Sequence, residues 1–287
     1  MRKTQLNTDN PVVVLSFGRS GSTLLQKLLN SHPDLVIWGE HMGILRPLQR
    51  AFSMINSSPW IDDTKARGDW LLGSPRELRP GRWTAWDSPL TKEAFKRELA
   101  EMIVRLFVPP SDHPYRWGFK EIRYKESAIA DFLLELFPGT QFVLMLRDPV
   151  DSTASFVASK LDSDNSNDPL EMQINELAKE LSKNQIIPFL DFSKELLHRH
   201  GERTHLVRYE QLITEPGDTL ARIAEFLSLD STFERRNIES ILSRNLVSQR
   251  LLKGPERMAQ IRRISEFHVQ LAIPIYSELI QEIERRD

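Results

Sequence analysis

The chain has 287 residues and a formal net charge of −2, with 40% hydrophobic and 27% charged residues. This length can bury the core of one large α/β domain or of two small ones, and the near-neutral charge argues against a nucleic-acid-binding protein, which usually carries a basic excess. There are no cysteines, so disulfides, thiolate metal sites and cysteine nucleophiles are excluded.

The beginning of the sequence is polar, and we expect no hydrophobic targeting signal in it. Residues 1–10 are polar, and the first apolar run, Val12–Leu15, is too short for the core of a signal peptide. No stretch approaches the roughly 18 apolar residues that a membrane span requires. We therefore expect an irregular N-terminus, no membrane span and a cytoplasmic location.

The first elements alternate between strand and helix. Val12–Leu15 is a β-branched run, which predicts a strand that is buried on both faces. A Gly/Ser turn at Ser16–Gly21 follows, and leucines then recur at helical spacing until a His-Pro turn at residues 32–33. Leu35–Trp38 is a second short strand. This order predicts an α/β fold of three layers, with a central, mostly parallel sheet flanked by helices.

The rest of the chain continues this alternation. Helices are predicted at 41–60, Lys92–Val108, Ser127–Phe137, 148–160, 171–200, Thr219–Leu227 and 257–285. Strands are predicted at Arg116–Phe119, Gln141–Leu146 and His205–Arg208. Segments 61–90 and 230–256 are expected to be irregular, and the polar segment 160–170 to be a mobile loop. No repeat or linker is visible, so we expect a single domain over 1–287.

The most informative segment lies between the first strand and the first helix, and reads Ser16-Phe17-Gly18-Arg19-Ser20-Gly21-Ser22-Thr23. Backbone N–H groups of such a turn point at one spot, where the helix dipole adds partial positive charge and hydroxyls can donate. The segment therefore predicts a phosphate-binding loop and a P-loop-like fold. An ordinary glycine turn capped by serines is the structural alternative.

The residues of this loop do not match a Walker A motif. That motif would need glycine at position 16 and lysine at position 22, whereas here the cation is Arg19 inside the loop. A nucleoside-triphosphate enzyme would also need an acidic magnesium ligand after a second strand, and Gln141–Leu146 is followed by Arg147, although Asp148 comes next. These features favour a ligand held by arginines and hydroxyls without a metal. A P-loop small-molecule kinase that uses ATP and magnesium is the main alternative, and a nucleotide-sensing protein is the non-enzymatic one.

The loop resembles a motif of the sulfotransferase superfamily that uses 3′-phosphoadenosine 5′-phosphosulfate (PAPS). The resemblance is to the branch with an arginine in the loop, which includes tyrosylprotein sulfotransferases and many bacterial enzymes. Its 5′-phosphosulfate loop is similar to residues 18–25, and the family's His-Pro turn and Gly-Glu pair match residues 32–33 and 39–40. The resemblance implies that the 5′ end of PAPS is bound by Gly18, Arg19, Ser20, Gly21, Ser22 and Thr23.

The family's second motif binds the 3′-phosphate with an arginine after a strand and a serine two helical turns later. Arg147 and Ser155 fit that pattern, and an arginine offers a bidentate fork to phosphate. A paired surface charge is the alternative for Arg147. The resemblance also implies that Tyr209, in a Tyr-Glu-x-Leu segment, lies beside the cofactor and that Lys120 lies near the transferring group.

The resemblance implies in-line transfer of a sulfuryl group to a hydroxyl or amine, with adenosine 3′,5′-bisphosphate (PAP) as the product and no metal. Glu40 is our candidate for the general base, and Lys120 and Arg19 would stabilise the departing oxygen. Glu40 could instead position Arg19 or cap a helix, and His41 is a rival base.

The C-terminal region and the acceptor leave further alternatives open. Arg250 and Lys253 are similar to a basic loop that closes over the 3′-phosphate in related enzymes, or form a solvated charged face. We expect a small-molecule acceptor, and the sequence does not indicate the oligomeric state.

Overall fold

A computed structural model describes residues 9–61, 90–108, 115–161, 168–229, 233–249 and 255–286. Its centre is a five-stranded sheet of order β2-β3-β1-β4-β5, in which every pairing is parallel. The strands are β1 (Val12–Ser16), β2 (Leu35–Trp38), β3 (Arg116–Glu121), β4 (Gln141–Leu146) and β5 (Thr204–Arg208). The predicted α/β fold, with a central parallel sheet and flanking helices, is confirmed.

The helices of the described residues pack on the sheet and on one another. In chain order they are α1 (Ser22–Leu29), α2 (Leu45–Asn56), α3 (Lys92–Phe107), α4 (Ser127–Leu136), α5 (Pro149–Leu161), α6 (Leu170–Leu181), α7 (Ile187–His200), α8 (Tyr209–Thr214), α9 (Pro216–Phe226), α10 (Arg235–Gln249), α11 (Pro255–His268) and α12 (Ala272–Arg286). A π-helical turn, Ser182–Ile186, joins α6 to α7, and a short 3₁₀ turn, Gly201–Arg203, precedes β5.

The strands divide the core into two layers because successive side chains of a strand point to opposite faces. In β1, Val13 and Leu15 pack in one cluster, whereas Val12 and Val14 pack in the other. All four side chains are at most 1% exposed. Helices therefore cover both faces, and the residues that follow the strands meet at one edge of the sheet, where ligands of α/β proteins bind.

The predicted helix 171–200 is helical along its whole length, with a π-helical turn at Ser182–Ile186 in the middle. Two other predicted elements were wrong in part. The predicted terminal helix 257–285 is two helices: the chain turns at residues 269–271, and Pro274 lies in the first turn of α12, whereas it would break the interior of one long helix. Segment 230–256 was predicted to be irregular but contains α10, since Ile238 and its helical neighbours pack against the α1 side of the core.

Some predictions remain open. Arg250 and Lys253 lie outside the described residues, as do residues 1–8, 162–167 and 62–89, which make up nearly all of the segment that was predicted to be irregular. The single domain over 1–287 stays a prediction. Among the described residues, every helix is too short or too polar to cross a bilayer.

Candidate functional site

The loop between β1 and α1 has a backbone that depends on glycine. Gly21 has a φ of 94°, in the left-handed region that glycine adopts without steric cost. A Cβ at Gly21 would lie 2.3 Å from Cδ2 of Tyr209, so the Tyr209 ring packs directly on the loop. Arg19 also has a positive φ, of 67°. The backbone thus turns sharply before α1, whose first N–H groups have no partner within the helix.

Arg147 follows β4 and lies against this loop. Its NH1 donates to the carbonyl oxygen of Arg19 at 3.0 Å, and its guanidinium carbon lies 4.3 Å from the centre of the Tyr209 ring. The Arg147 Nε is buried and has no hydrogen-bond partner among the described residues. Tyr209 therefore supports both the loop and the arginine.

The two predicted phosphate-binding groups touch each other. Arg19 Nε donates to Ser155 Oγ of α5 at 3.3 Å. Together with the contact between Arg147 and the Arg19 carbonyl, this bond joins the two groups into one continuous basic surface.

This surface is one wall of a cavity of about 1130 Å³. The cavity is lined by nearly all of the residues predicted from the sequence, namely Gly18, Arg19, Gly21, Ser22, Thr23, Glu40, Lys120, Arg147, Ser155 and Tyr209. Ser20 differs from them, because its side chain is completely buried and its Oγ has no hydrogen-bond partner among the described residues. The fold thus brings the predicted residues together, while their roles stay predictions.

Glu40 and Lys120 form an ion pair at the same cavity. Lys120 Nζ donates to Glu40 Oε1 at 2.6 Å, and Arg123 NH1 donates to Glu40 Oε2 at 2.9 Å. The Lys120 side chain is 5% exposed and that of Glu40 is 30% exposed. The carboxylate is therefore fixed by two cations that follow or end β3, and the partner that the sequence suggested, Arg19, is not one of them.

The turn that carries Glu40 is held by a buried carboxylate. Oε2 of Glu121, a residue with no exposed surface, accepts the backbone N–H groups of His41 at 3.2 Å and Gly43 at 3.0 Å. Burial alone would raise the pKa of Glu121, but hydrogen bonds from Arg123 and from the backbone outweigh it and lower the pKa. Glu121 thus fixes the turn as an ionised group.

His41 points away from the cavity. Its ring lies among aromatic side chains, with ring centres at 4.7 Å to Phe119, 5.2 Å to Phe107 and 5.6 Å to Tyr124. Burial lowers the pKa of His41. Of the two candidate bases, Glu40 is the one that lines the cavity.

Sequence reasoning missed four polar residues of this site, namely Arg123, Gln185, Arg262 and Asp151. Arg123 holds Glu40, Gln185 reaches the loop from the π-helical turn, and Arg262 lines the cavity from α11. Arg262 NH1 lies 2.7 Å from Asp151 Oδ1 in an exposed ion pair. Arg123 follows the predicted Lys120 segment directly and could have been proposed from that proximity. Gln185 and Arg262 lie within segments that were predicted to be helical, and no motif near them in the sequence marks them as site residues.

The described residues contain no cluster of three or more histidine, aspartate or glutamate side chains that could hold a metal ion. Metal independence stays a prediction.

A family model described as "Sulfotransferase family" matches residues 11–234, which is most of the chain and includes the loop, Glu40, Lys120, Arg147, Ser155 and Tyr209. The chain belongs to the sulfotransferase family. Two curated relatives are named protein-tyrosine sulfotransferase. The one from Drosophila melanogaster is 25% identical over 78% of this chain, and the one from Caenorhabditis elegans (form A) is 27% identical over 74%.

The relatives are longer than the region they share with this sulfotransferase-family chain. The match covers 39% of the Drosophila protein and 48% of the nematode protein, so the chain spans less than half of each. Among solved structures, the sulfotransferase domain of the Synechococcus PCC 7002 olefin synthase matches with a TM-score of 0.46 and 20% identity, over 89% of this chain and 94% of that one.

Proposed function

We propose that this chain is a PAPS-dependent sulfotransferase, which moves a sulfuryl group from PAPS to a hydroxyl acceptor and releases PAP. The observation that carries the proposal is the continuous surface formed by the loop, Arg19, Arg147 and Ser155 on one wall of the cavity. Such a surface suits a ligand with two anionic groups, because arginine and backbone N–H groups form strong charge-assisted hydrogen bonds with phosphate. The family match over residues 11–234 supports the same donor.

The residues fit this donor in two ways. Arg147 lines the cavity with NH1 on the Arg19 carbonyl and its guanidinium over the Tyr209 ring, so its cation is held in place beside the loop. The left-handed turn at Gly21 precedes α1, whose N-terminal N–H groups form an anion site. We assign the 3′-phosphate to Arg147 and Ser155, and the 5′-phosphosulfate to the loop.

Transfer would then proceed between Glu40 and the loop. Glu40 takes the proton from the acceptor hydroxyl, and the acceptor oxygen forms a bond to sulfur. The bond from sulfur to the bridging oxygen breaks, and its electron pair stays on the 5′-phosphate of PAP. Lys120, 2.6 Å from Glu40, and Arg19 supply positive charge where this oxygen develops charge.

The substitution Glu40→Gln tests the base. It keeps the shape of the side chain but cannot accept the proton, so we expect kcat to fall by about 10²–10⁴-fold while PAP binding changes little. Glu126→Gln is the matched control, because Glu126 also pairs with an arginine, Arg46, at 2.6 Å but does not line the cavity. Turnover of the Glu40 variant within a few-fold of the control would refute the assignment.

The acceptor is a separate part of the proposal. The sequence led us to expect a small-molecule hydroxyl or amine, whereas both curated relatives are named for transfer to protein tyrosine. A tyrosyl hydroxyl is therefore the second candidate. Incubation with labelled PAPS, small phenols and alcohols in one arm and tyrosine-containing peptides in the other distinguishes them by which arm takes up label. The cytoplasmic location stays a prediction.

A further inference from the structure

The π-helical turn between α6 and α7 brings a side chain to the phosphate loop. Such turns are rare in proteins and occur frequently at functional sites. Within Ser182–Ile186, the two end residues are buried, whereas Gln185 is half-buried and lines the cavity. The turn therefore anchors itself in the core and presents one amide to the site.

The amide of Gln185 is oriented by the loop itself. Its Oε1 accepts the backbone N–H of Gly18 at 3.2 Å. A Cβ at Gly18 would lie 2.8 Å from this oxygen, so a glycine at this position lets the amide approach closely. Leu181 also lies near this point, and Phe17 packs on Phe189 with ring centres 5.6 Å apart. The loop and the π-helical turn are thus packed against each other.

This contact uses only one half of the amide. The oxygen is committed to Gly18, and the Nε2 group makes no hydrogen bond to another described residue. Two N–H donors are therefore left next to the loop, in a cavity that also contains Arg19 and Lys120.

We propose that Gln185 is a donor-binding residue, whose Nε2 donates to an anionic oxygen of the 5′-phosphosulfate of PAPS. The inference rests on the proposed function, since PAPS is its ligand, but it does not depend on Glu40 or on the acceptor. A neutral amide adds a hydrogen-bond donor to the site without competing with the ion pair of Lys120 and Glu40. Fixing Oε1 on Gly18 orients the amide before the donor arrives.

Two substitutions separate donor binding from support of the loop. Gln185→Glu keeps an oxygen for the Gly18 N–H and nearly the same shape, but replaces the amide N–H₂ with a charged oxygen. Gln185→Met keeps the length and removes both interactions. If Gln185 only supports the loop, Gln185→Glu should weaken nucleotide binding no more than a carboxylate placed elsewhere on the cavity wall, as in Met258→Glu. Gln185→Met should then lose affinity only together with stability of the nucleotide-free protein.

Donor binding by Nε2 predicts losses of affinity in both variants that exceed these limits. We expect Gln185→Met to weaken PAPS binding by about 10-fold, from loss of one hydrogen bond to a charged group, and Gln185→Glu to weaken it more, because a carboxylate repels the anion. Calorimetric titration of both variants with PAPS and with PAP, without acceptor, measures this order. Gln281→Glu and Gln281→Met are the matched controls, because Gln281 is exposed on α12, away from the cavity.

The outcomes identify which idea fails. Loss of PAPS affinity alone assigns the contact to a sulfuryl oxygen, and equal loss for PAPS and PAP assigns it to the 5′-phosphate. Unchanged binding of both nucleotides by Gln185→Glu overturns the inference. A wild-type protein that binds neither nucleotide overturns the proposed function instead.

Discussion

The substitution Glu121→Gln tests how the turn that carries Glu40 is built. Every partner of the Glu121 carboxylate is an N–H donor. Oε2 accepts from His41 and Gly43, and Oε1 accepts from the backbone of Ile122 at 2.9 Å and from Arg123 NH1 at 2.7 Å. A glutamine amide has one oxygen and one N–H₂ group. In either orientation its N–H₂ therefore faces donors that have lost their acceptor.

The cost follows from counting these donors. At least two N–H groups lose their partner, and each buried unsatisfied group costs about 1–3 kcal/mol. Removing one partner of a fully buried ion pair costs about 3–5 kcal/mol, but Arg123 is 34% exposed and water can solvate part of it. We therefore expect Glu121→Gln to lower the free energy of unfolding by about 2–4 kcal/mol. The displaced turn should also lower kcat through Glu40.

Urea unfolding of the wild type and the variant measures this loss. Glu135→Gln is the control, because Glu135 is half exposed and pairs with Lys96 at 2.6 Å, an arrangement worth about 0–1 kcal/mol. A loss below about 1 kcal/mol for Glu121→Gln, equal to that of the control, would refute the reasoning.

Three other predictions concern the loop, its arginine and the buried histidine. Gly21→Ala forces a side chain into the Tyr209 ring at a φ of 94°, so urea unfolding should show that the free energy of unfolding falls by at least about 1–2 kcal/mol. Gly217→Ala is the control, because a Cβ at Gly217 would have no atom within 4 Å, and it should not lower the free energy of unfolding. Equal losses in the two variants would contradict this prediction. Arg147→Ala should weaken PAP binding by about 1.5–3 kcal/mol by calorimetry, and unaltered affinity would count against its role. Burial lowers the pKa of His41 in the folded protein below its unfolded value of about 6.5. The contribution of neutral His41 to stability should therefore be complete above the unfolded pKa, and it should be lost as the pH falls through the lower folded pKa. His41→Phe should remove this part of the pH dependence, and parallel curves for the two proteins would exclude the explanation.

Local signals explain what the sequence revealed. The β-branched run of β1 and the glycine turn after it lie within a few residues of each other, so the strand, the loop and α1 could be predicted together. Arg147 could be placed because it follows β4, and strands of a parallel sheet end at one edge. Glu40 and Lys120 were found by resemblance, and their direct ion pair was not foreseen.

Long-range contacts explain what the sequence concealed. Gln185 meets Gly18 across 167 positions of the chain, and no motif marks a π-helical turn. The break before α12 is different, because Pro274 marks it locally: it lies in the first turn of α12, whereas it would break the interior of a single helix over 257–285. In α10, the many Ser, Arg and Asn residues hid the helical spacing of its few apolar positions.

Calorimetric titration of the wild-type protein with PAP and, separately, with ATP and magnesium is the most direct test of the donor. The basic surface of Arg19, Arg147 and Ser155 predicts tight binding of PAP without a metal and much weaker binding of ATP with magnesium. Tight binding of ATP with magnesium, and none of PAP, would contradict the account and favour a kinase.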